Sequence, residues 1–259
     1  MECRQIIEKI EERYPRRYAM EWDNIGLQAG RTKKEVKRIL IALDVDDATV
    51  EQAVSGNVDM LVTHHPLIFK PVSWINDEDF IGRRLLKLIQ NDISYYAMHT
   101  NYDVLGMADL AGEMLQLKNP QVLEITNTED SLEGIGRVAD LEIPVTLEEC
   151  AGWVKKVFSL PGVRVFGEPS QKITRIAIVP GSGKGFIGQA LEKKADVLIT
   201  GDIGHHEGID ANAQDMAVID AGHYGIEHIF ISDMEKFCSD NFPELEVQVM
   251  KIQHPFWIA

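Results

Sequence analysis

The chain is 259 residues long, and 41 Asp plus Glu against 26 Lys plus Arg leave a formal charge of −15 at neutral pH. That length allows one large or two small domains, and 45% apolar with 26% charged residues excludes a disordered or fibrous chain. The acidic balance argues against general phosphate-backbone binding, which needs clustered Lys and Arg, so nucleic acid is not an expected partner. Apolar runs such as Arg38–Leu43 fall far short of the ~20 residues that span a bilayer. Met1–Glu12 is charged where a signal peptide would be apolar, so no membrane role and a cytoplasmic location are expected. Cys3, Cys150 and Cys238 are odd in number and far apart, which predicts buried thiols rather than a disulfide framework or a cysteine metal site.

In chain order, a helix-like stretch over Cys3–Tyr14 is followed by a glycine-punctuated loop, Trp22–Gly30. The branched apolar run Arg38–Leu43 predicts a strand, Asp47–Gly56 a helix with Asp46 or Asp47 as N-cap, and Asp59–Thr63 a second strand. Ile93–Met98 reads as a strand, Ala108–Leu115 as a helix and Gln121–Ile125 as a strand, before the polar Thr126–Ser131. Leu147–Phe158 again reads as helix, Arg175–Pro180 as strand, Gly185–Lys194 as helix and Asp196–Thr200 as strand. After Ile219–Glu227 come a helix over Ile229–Asp240 and a strand over Glu246–Ile252.

The two halves repeat. Arg38–Leu43 aligns with Arg175–Pro180, and Asp59–Thr63 with Asp196–Thr200, both at an offset of 137 residues. Tyr96–Asp103 aligns with Ile219–Glu227 at an offset of 124. Strand, helix and parallel strand form a βαβ unit whose strands are buried on both faces. The expected fold class is therefore α/β: two similar tandem units of the three-layer αβα type, spanning 1–127 and 128–259. The C-terminal strand can pair with either sheet.

Thr63-His64-His65-Pro66 closes an apolar strand, and in open α/β sheets the carboxyl ends of strands are where ligands bind. Successive extended residues point to opposite sides, so His64 and His65 reach a single ion only across a sharp backbone bend; two neighbouring ions suit them better. His223 and Glu227 share a face if they occupy one helical turn, a spacing equally suited to a metal or to a surface ion pair. Asp103 follows another strand-like run, where it could also cap the next helix. Imidazole and carboxylate donors without thiolate suit Zn, Mn, Fe, Co or Ni, and residue type does not choose among them.

Trp22-Asp23-Asn24-Ile25-Gly26-Leu27-Gln28-Ala29-Gly30, Leu61–Phe69, His99-Thr100-Asn101-Tyr102-Asp103, Thr200-Gly201-Asp202 and Gly222–Glu227 together resemble the Nif-three-like family. Its members are also described as type-two GTP cyclohydrolase homologues or dinuclear metal-binding proteins. The resemblance implies two similar α/β domains around a dinuclear centre, assembled as a ring-like homohexamer. It also implies two divalent ions per chain, of unspecified identity, with ligands falling on His64, His65, Asp103, His223 and Glu227. The same resemblance implies hydrolysis of a nucleotide-like small molecule, such as ring opening of GTP by water at C8 of guanine. The alternative is a non-catalytic metal-binding ring that acts as scaffold or regulator.

His99 and His206 are candidates for groups that orient a water or a substrate oxygen beside the ions. His205, His228 and His254 are expected to be structural. Val179–Gly185 is a weak candidate for anion contact, since it lacks the P-loop spacing and a tight turn explains its glycines equally well, although Lys184 is a nearby cation. Trp22 is expected to pack, with Asp23 and Asn24 near the pocket.

Overall fold

A computed structural model describes residues 1–127 and 132–257, which fold as two compact units, 1–102 with 230–253 and 103–127 with 132–229 and 254–257. The first carries a five-stranded sheet of β1 (Gly26–Ala29), β2 (Arg38–Ala42), β3 (Met60–Thr63), β4 (Ser94–Ala97) and β11 (Glu246–Val249), in the order β1-β4-β3-β2-β11. Only β1 runs antiparallel to its neighbour. The second carries β5 (Gln121–Asn127), β6 (Glu133–Thr146), β7 (Arg164–Phe166), β8 (Lys172–Ser182), β9 (Val197–Gly201) and β10 (Ala217–Asp220), in the order β5-β6-β8-β9-β10-β7. Both are α/β, as the alternation of strand-like and helix-like runs requires.

The repeat holds at the level of hydrogen bonds. Ile39 pairs with Met60 and Ile41 with Val62, while 137 residues on Ile176 pairs with Val197 and Ile178 with Ile199. The Asp59 carboxylate accepts from the Lys37 and Arg38 amides at 2.8 and 2.9 Å; the Asp196 carboxylate accepts from the Thr174 and Arg175 amides at 2.6 and 2.8 Å. The cores match as well. Leu40, Ala42, Ala53, Val58 and Leu61 are buried together in the first unit, and Ala177, Val179, Ala190, Ala195 and Leu198 occupy the same places in the second. The opposite strand face of the first unit is buried too, with Met60 against Cys3 of the helix Cys3–Arg13. Covering on both faces explains the near-continuous apolar runs.

Further along, the register differs from the expectation by one residue. Thr63 pairs with Ala97 and Thr200 with Asp220, so the third correspondence runs at 123 and sets His99 beside Gly222 rather than His223. The two histidines are therefore not structural equivalents, because the His-x-x-x-acid pattern slides by one position.

Asp46 is the N-cap of the helix Asp47–Ser55 and accepts from the Thr49 amide at 2.7 Å. Thr146 and Glu149 form a capping box that starts Leu147–Val157. Elements that fall where none is expected include β1, in the stretch read as a loop, the helix Phe80–Gln90, the long strand β6, β7 and the helix His205–Asn212. Gly134, Gly136, a bulge after Asp140 and Pro144 conceal β6 by breaking its alternation. Thr126 and Asn127, expected in a polar connection, belong to β5, and residues 128–131, where the tandem border at 127 and 128 falls, lie outside the described residues. The C-terminal strand pairs with β2 in the first sheet, so that unit is closed by residues far along the chain.

Candidate metal-binding site

In the first unit β3 ends at Thr63, and the chain bends at once. The Thr63 hydroxyl donates to the His65 carbonyl at 2.9 Å, and the Tyr95 hydroxyl, 3.1 Å from the same oxygen, accepts from the Leu67 amide at 2.8 Å. This bend overcomes the alternation of side chains along a strand. His64, His65 and His99 each present a ring nitrogen within 4.8 Å of the others, a group able to hold a metal ion. His64 is fully buried, while His65 and His99 are half-buried.

Each imidazole of this group is held from behind. His64 Nδ1 lies 3.1 Å from the Met98 carbonyl, His65 Nδ1 2.7 Å from Asp44 Oδ1, and His99 Nδ1 2.9 Å from Asp23 Oδ1. A carbonyl or carboxylate oxygen only accepts, so Nδ1 carries the proton and Nε2 the lone pair that a metal requires. Asp23 also accepts from the Thr100 amide at 3.0 Å and its hydroxyl at 2.6 Å. Burial alone would raise the Asp23 carboxyl, but the bonds from His99 and Thr100 outweigh it and hold its pKa below the usual carboxylate range.

The second unit repeats the device on a short helix, His223–Glu227, that follows β10. His223 Nδ1 lies 2.7 Å from Asp202 Oδ2, and its Nε2 lies 2.9 Å from Oε2 of the buried Glu227. Burial works against a charge on His223, yet Glu227 and then Asp202 outweigh it and raise its pKa to about 9. Nε2 and Oε2 are the atoms that a divalent ion would take in place of that proton. Gly181 makes the space: at φ 76°, an added Cβ would stand 2.3 Å from Glu227 Oε1. Gly201 does the same beneath the helix start, where a Cβ would meet the His223 amide nitrogen at 2.4 Å. Of the glycines of Val179–Gly185, Gly181 thus serves close packing around Glu227, Gly183 packs against Thr200 and Gly185 meets nothing within 4 Å, and β8 runs on through Ser182 where a loop is expected.

Asp103 opens a π-helical turn, Asp103–Met107, ahead of the helix Ala108–Met114; such turns recur at functional sites and leave no signature in residue spacing. His206 is exposed, with its ring 5.1 Å from that of His205, and joins no cluster of metal-type donors among the described residues. His228 is buried, with Nε2 3.0 Å from the Phe158 carbonyl, which fits its structural assignment. Asp44, which holds His65, is not among the residues expected at the site. Its one signal is an acid ending a buried strand, at the carboxyl edge where ligands gather. Imidazoles whose Nδ1 is held by an oxygen acceptor, and carboxylates beside them, are a donor set that fits a divalent first-row ion.

Comparison with known proteins gives a consistent picture. Residues 1–255 match the family described as Duf34/NIF3 (NGG1p interacting factor 3). A protein of Clostridium acetobutylicum named GTP cyclohydrolase 1 type 2 homolog is 34% identical over 238 residues, covering 91% of this chain and 89% of its own length. One of the same name from Lactococcus lactis is 37% identical over 236 residues, covering 89% of each. The crystal structure of a Staphylococcus aureus hypothetical protein superposes with a TM-score of 0.92 at 31% identity, covering 100% of this chain and 99% of that one.

Proposed function

The chain belongs to the Duf34/NIF3 family, and on that premise we propose that it is a metal-dependent hydrolase of a nucleotide-like small molecule. His64, His65, Asp103, His223 and Glu227 are the proposed ligands of two divalent ions drawn from Fe, Mn, Zn, Co and Ni. The observation that carries this reading is the fixed tautomer of the histidines. His64, His65 and His223 each give the Nδ1 proton to an acceptor within their own unit, which makes Nε2 the donor toward a metal, at His223 once an ion takes the place of the proton held between Nε2 and Glu227.

Two divalent ions, when bound, supply Lewis acidity and lower the pKa of water, which is the chemistry that hydrolysis of a purine ring or a phosphate ester needs. The rest falls to the chain: Asp44, the Met98 carbonyl and Asp202 orient imidazoles, while Asp23 orients His99 toward the substrate side. The name shared by the Clostridium and Lactococcus relatives supports GTP as the first substrate to try. The net charge of −15 supports a small molecule over nucleic acid.

Assembly as a homohexamer is part of the proposal by resemblance. So is a cytoplasmic setting, which the free thiols Cys3, Cys150 and Cys238 support. Among the described residues no helix is long and apolar enough to cross a membrane. The deciding experiment incubates metal-loaded protein with GTP and follows opening of the guanine ring by absorbance, beside a His64→Ala variant. Turnover by the native protein that the variant loses supports the hydrolase. Full metal loading without turnover of GTP or other nucleotides points to the non-catalytic ring.

A further inference from the structure

Two large aromatic side chains lie exposed at the edge of the three-histidine group. Trp22 is 61% and Phe69 49% exposed, and their ring centroids are 5.8 Å apart at an interplanar angle of 55°. Both approach His99 edge-on, at 6.1 Å from Trp22 and 6.3 Å from Phe69. His99 in turn lies 5.2 Å from the His64 ring and 5.6 Å from the His65 ring.

The loops that carry these aromatics are tied to each other. The Asn24 side-chain amide donates to the Ile68 carbonyl at 2.5 Å, and the Ile68 amide donates to Gln28 Oε1 at 2.9 Å. Gln28 Nε2 donates back to the Asn24 carbonyl at 2.6 Å. Phe69 is one residue and Trp22 two residues from these hydrogen bonds, and Asp23, between Trp22 and Asn24, holds His99. Exposed tryptophan costs solvation, and a folded chain gains nothing from bracing it unless the face is used. The bracing pre-pays the ordering that ligand binding would otherwise cost.

We infer that Trp22 and Phe69 form a stacking platform for a planar nitrogen heterocycle, a purine base, whose polar edge is then directed at His99 and the His64–His65 pair. The rings are too close and too tilted to sandwich a base, so the base lies on the outer face of Trp22 with Phe69 as a side wall. The inference rests on the proposed function and deepens it by naming what the site recognises. It also gives Trp22-Asp23-Asn24 one purpose: stacking surface, His99 holder and loop tie.

The test titrates guanosine, GTP and inorganic triphosphate into the metal-loaded full chain, following tryptophan fluorescence and heat, with the native protein, Trp22→Ala, Trp22→Phe and Phe69→Ala. Guanosine is expected to bind and quench fluorescence. Trp22→Ala should weaken guanosine at least about tenfold, the scale of one lost base–aromatic stack. Phe69→Ala should weaken it less, and Trp22→Phe should restore most of the affinity without the quench. Metal content per chain should match the native value in every variant. Equal affinity in native and Trp22→Ala protein, or triphosphate binding with no guanosine binding, would overturn the platform. Guanosine binding that depends on Trp22 but is followed by no turnover would leave the platform standing and remove the hydrolase; turnover that ignores Trp22→Ala would do the reverse.

Discussion

The Asp202 carboxylate lies 2.7 Å from Nδ1 of His223, and in the other unit the Asp44 carboxylate lies at the same distance from Nδ1 of His65. Each pair spans 21 residues of sequence and sets an acid at the end of one strand behind a histidine that follows the adjacent strand. Such a carboxylate fixes the tautomer, aims the ring and makes its outer nitrogen a better donor.

At the proposed metal site, replacing these carboxylates should weaken metal binding without removing a ligand. Asp202→Asn and Asp44→Asn should each lower affinity about 10- to 100-fold. Competition with a chromophoric chelator measures this, and circular dichroism should report an unchanged fold.

Gly181 and Gly185 separate packing around Glu227 from the anion-loop idea. Alanine at 181 forces a residue at φ 76° against Glu227, whereas alanine at 185 meets nothing within 4 Å. Gly181→Ala should cost about 1–3 kcal/mol of stability and reduce metal content. Gly185→Ala should stay within about 0.5 kcal/mol and keep the metal. Thermal melts with elemental analysis distinguish the two.

How far this was legible in the sequence depends on the length of pattern involved. Core strands and the 137-residue repeat show in the order of Ile, Leu and Val, because strands buried on both faces tolerate little else. The histidines show because they end such strands. Asp44 is hidden because its role is set by a partner 21 residues away, and the π-helical turn at Asp103 because hydrogen-bond register has no residue code. β6 is hidden because its bulge and glycines interrupt the alternation that marks a strand.

The side chain of Arg137, almost fully buried, donates to both Asp109 oxygens, at 2.5 and 2.8 Å, and to the Gly134 and Gly136 carbonyls at 2.9 Å each. Arg137→Met should destabilise the second unit by about 2–4 kcal/mol, since carbonyls and a carboxylate lose their donor together. Urea unfolding with and without the substitution gives the figure.

The three thiols are fully buried, and burial raises the pKa of Cys3 and pushes Cys150 and Cys238 up to about 12. Because the thiolate is the reactive form, native protein at pH 8 should resist alkylation by iodoacetamide while denatured protein takes up three labels. Mass spectrometry of the intact chain counts them.

The central claim is that five residues hold two ions, and the most direct measurement is elemental analysis of the purified native protein beside His223→Ala. About two metal atoms per chain, with a clear loss in the variant and an unchanged fold, is the predicted result. No metal after incubation with Mn, Fe, Zn, Co or Ni, or the same content in both proteins, would contradict it.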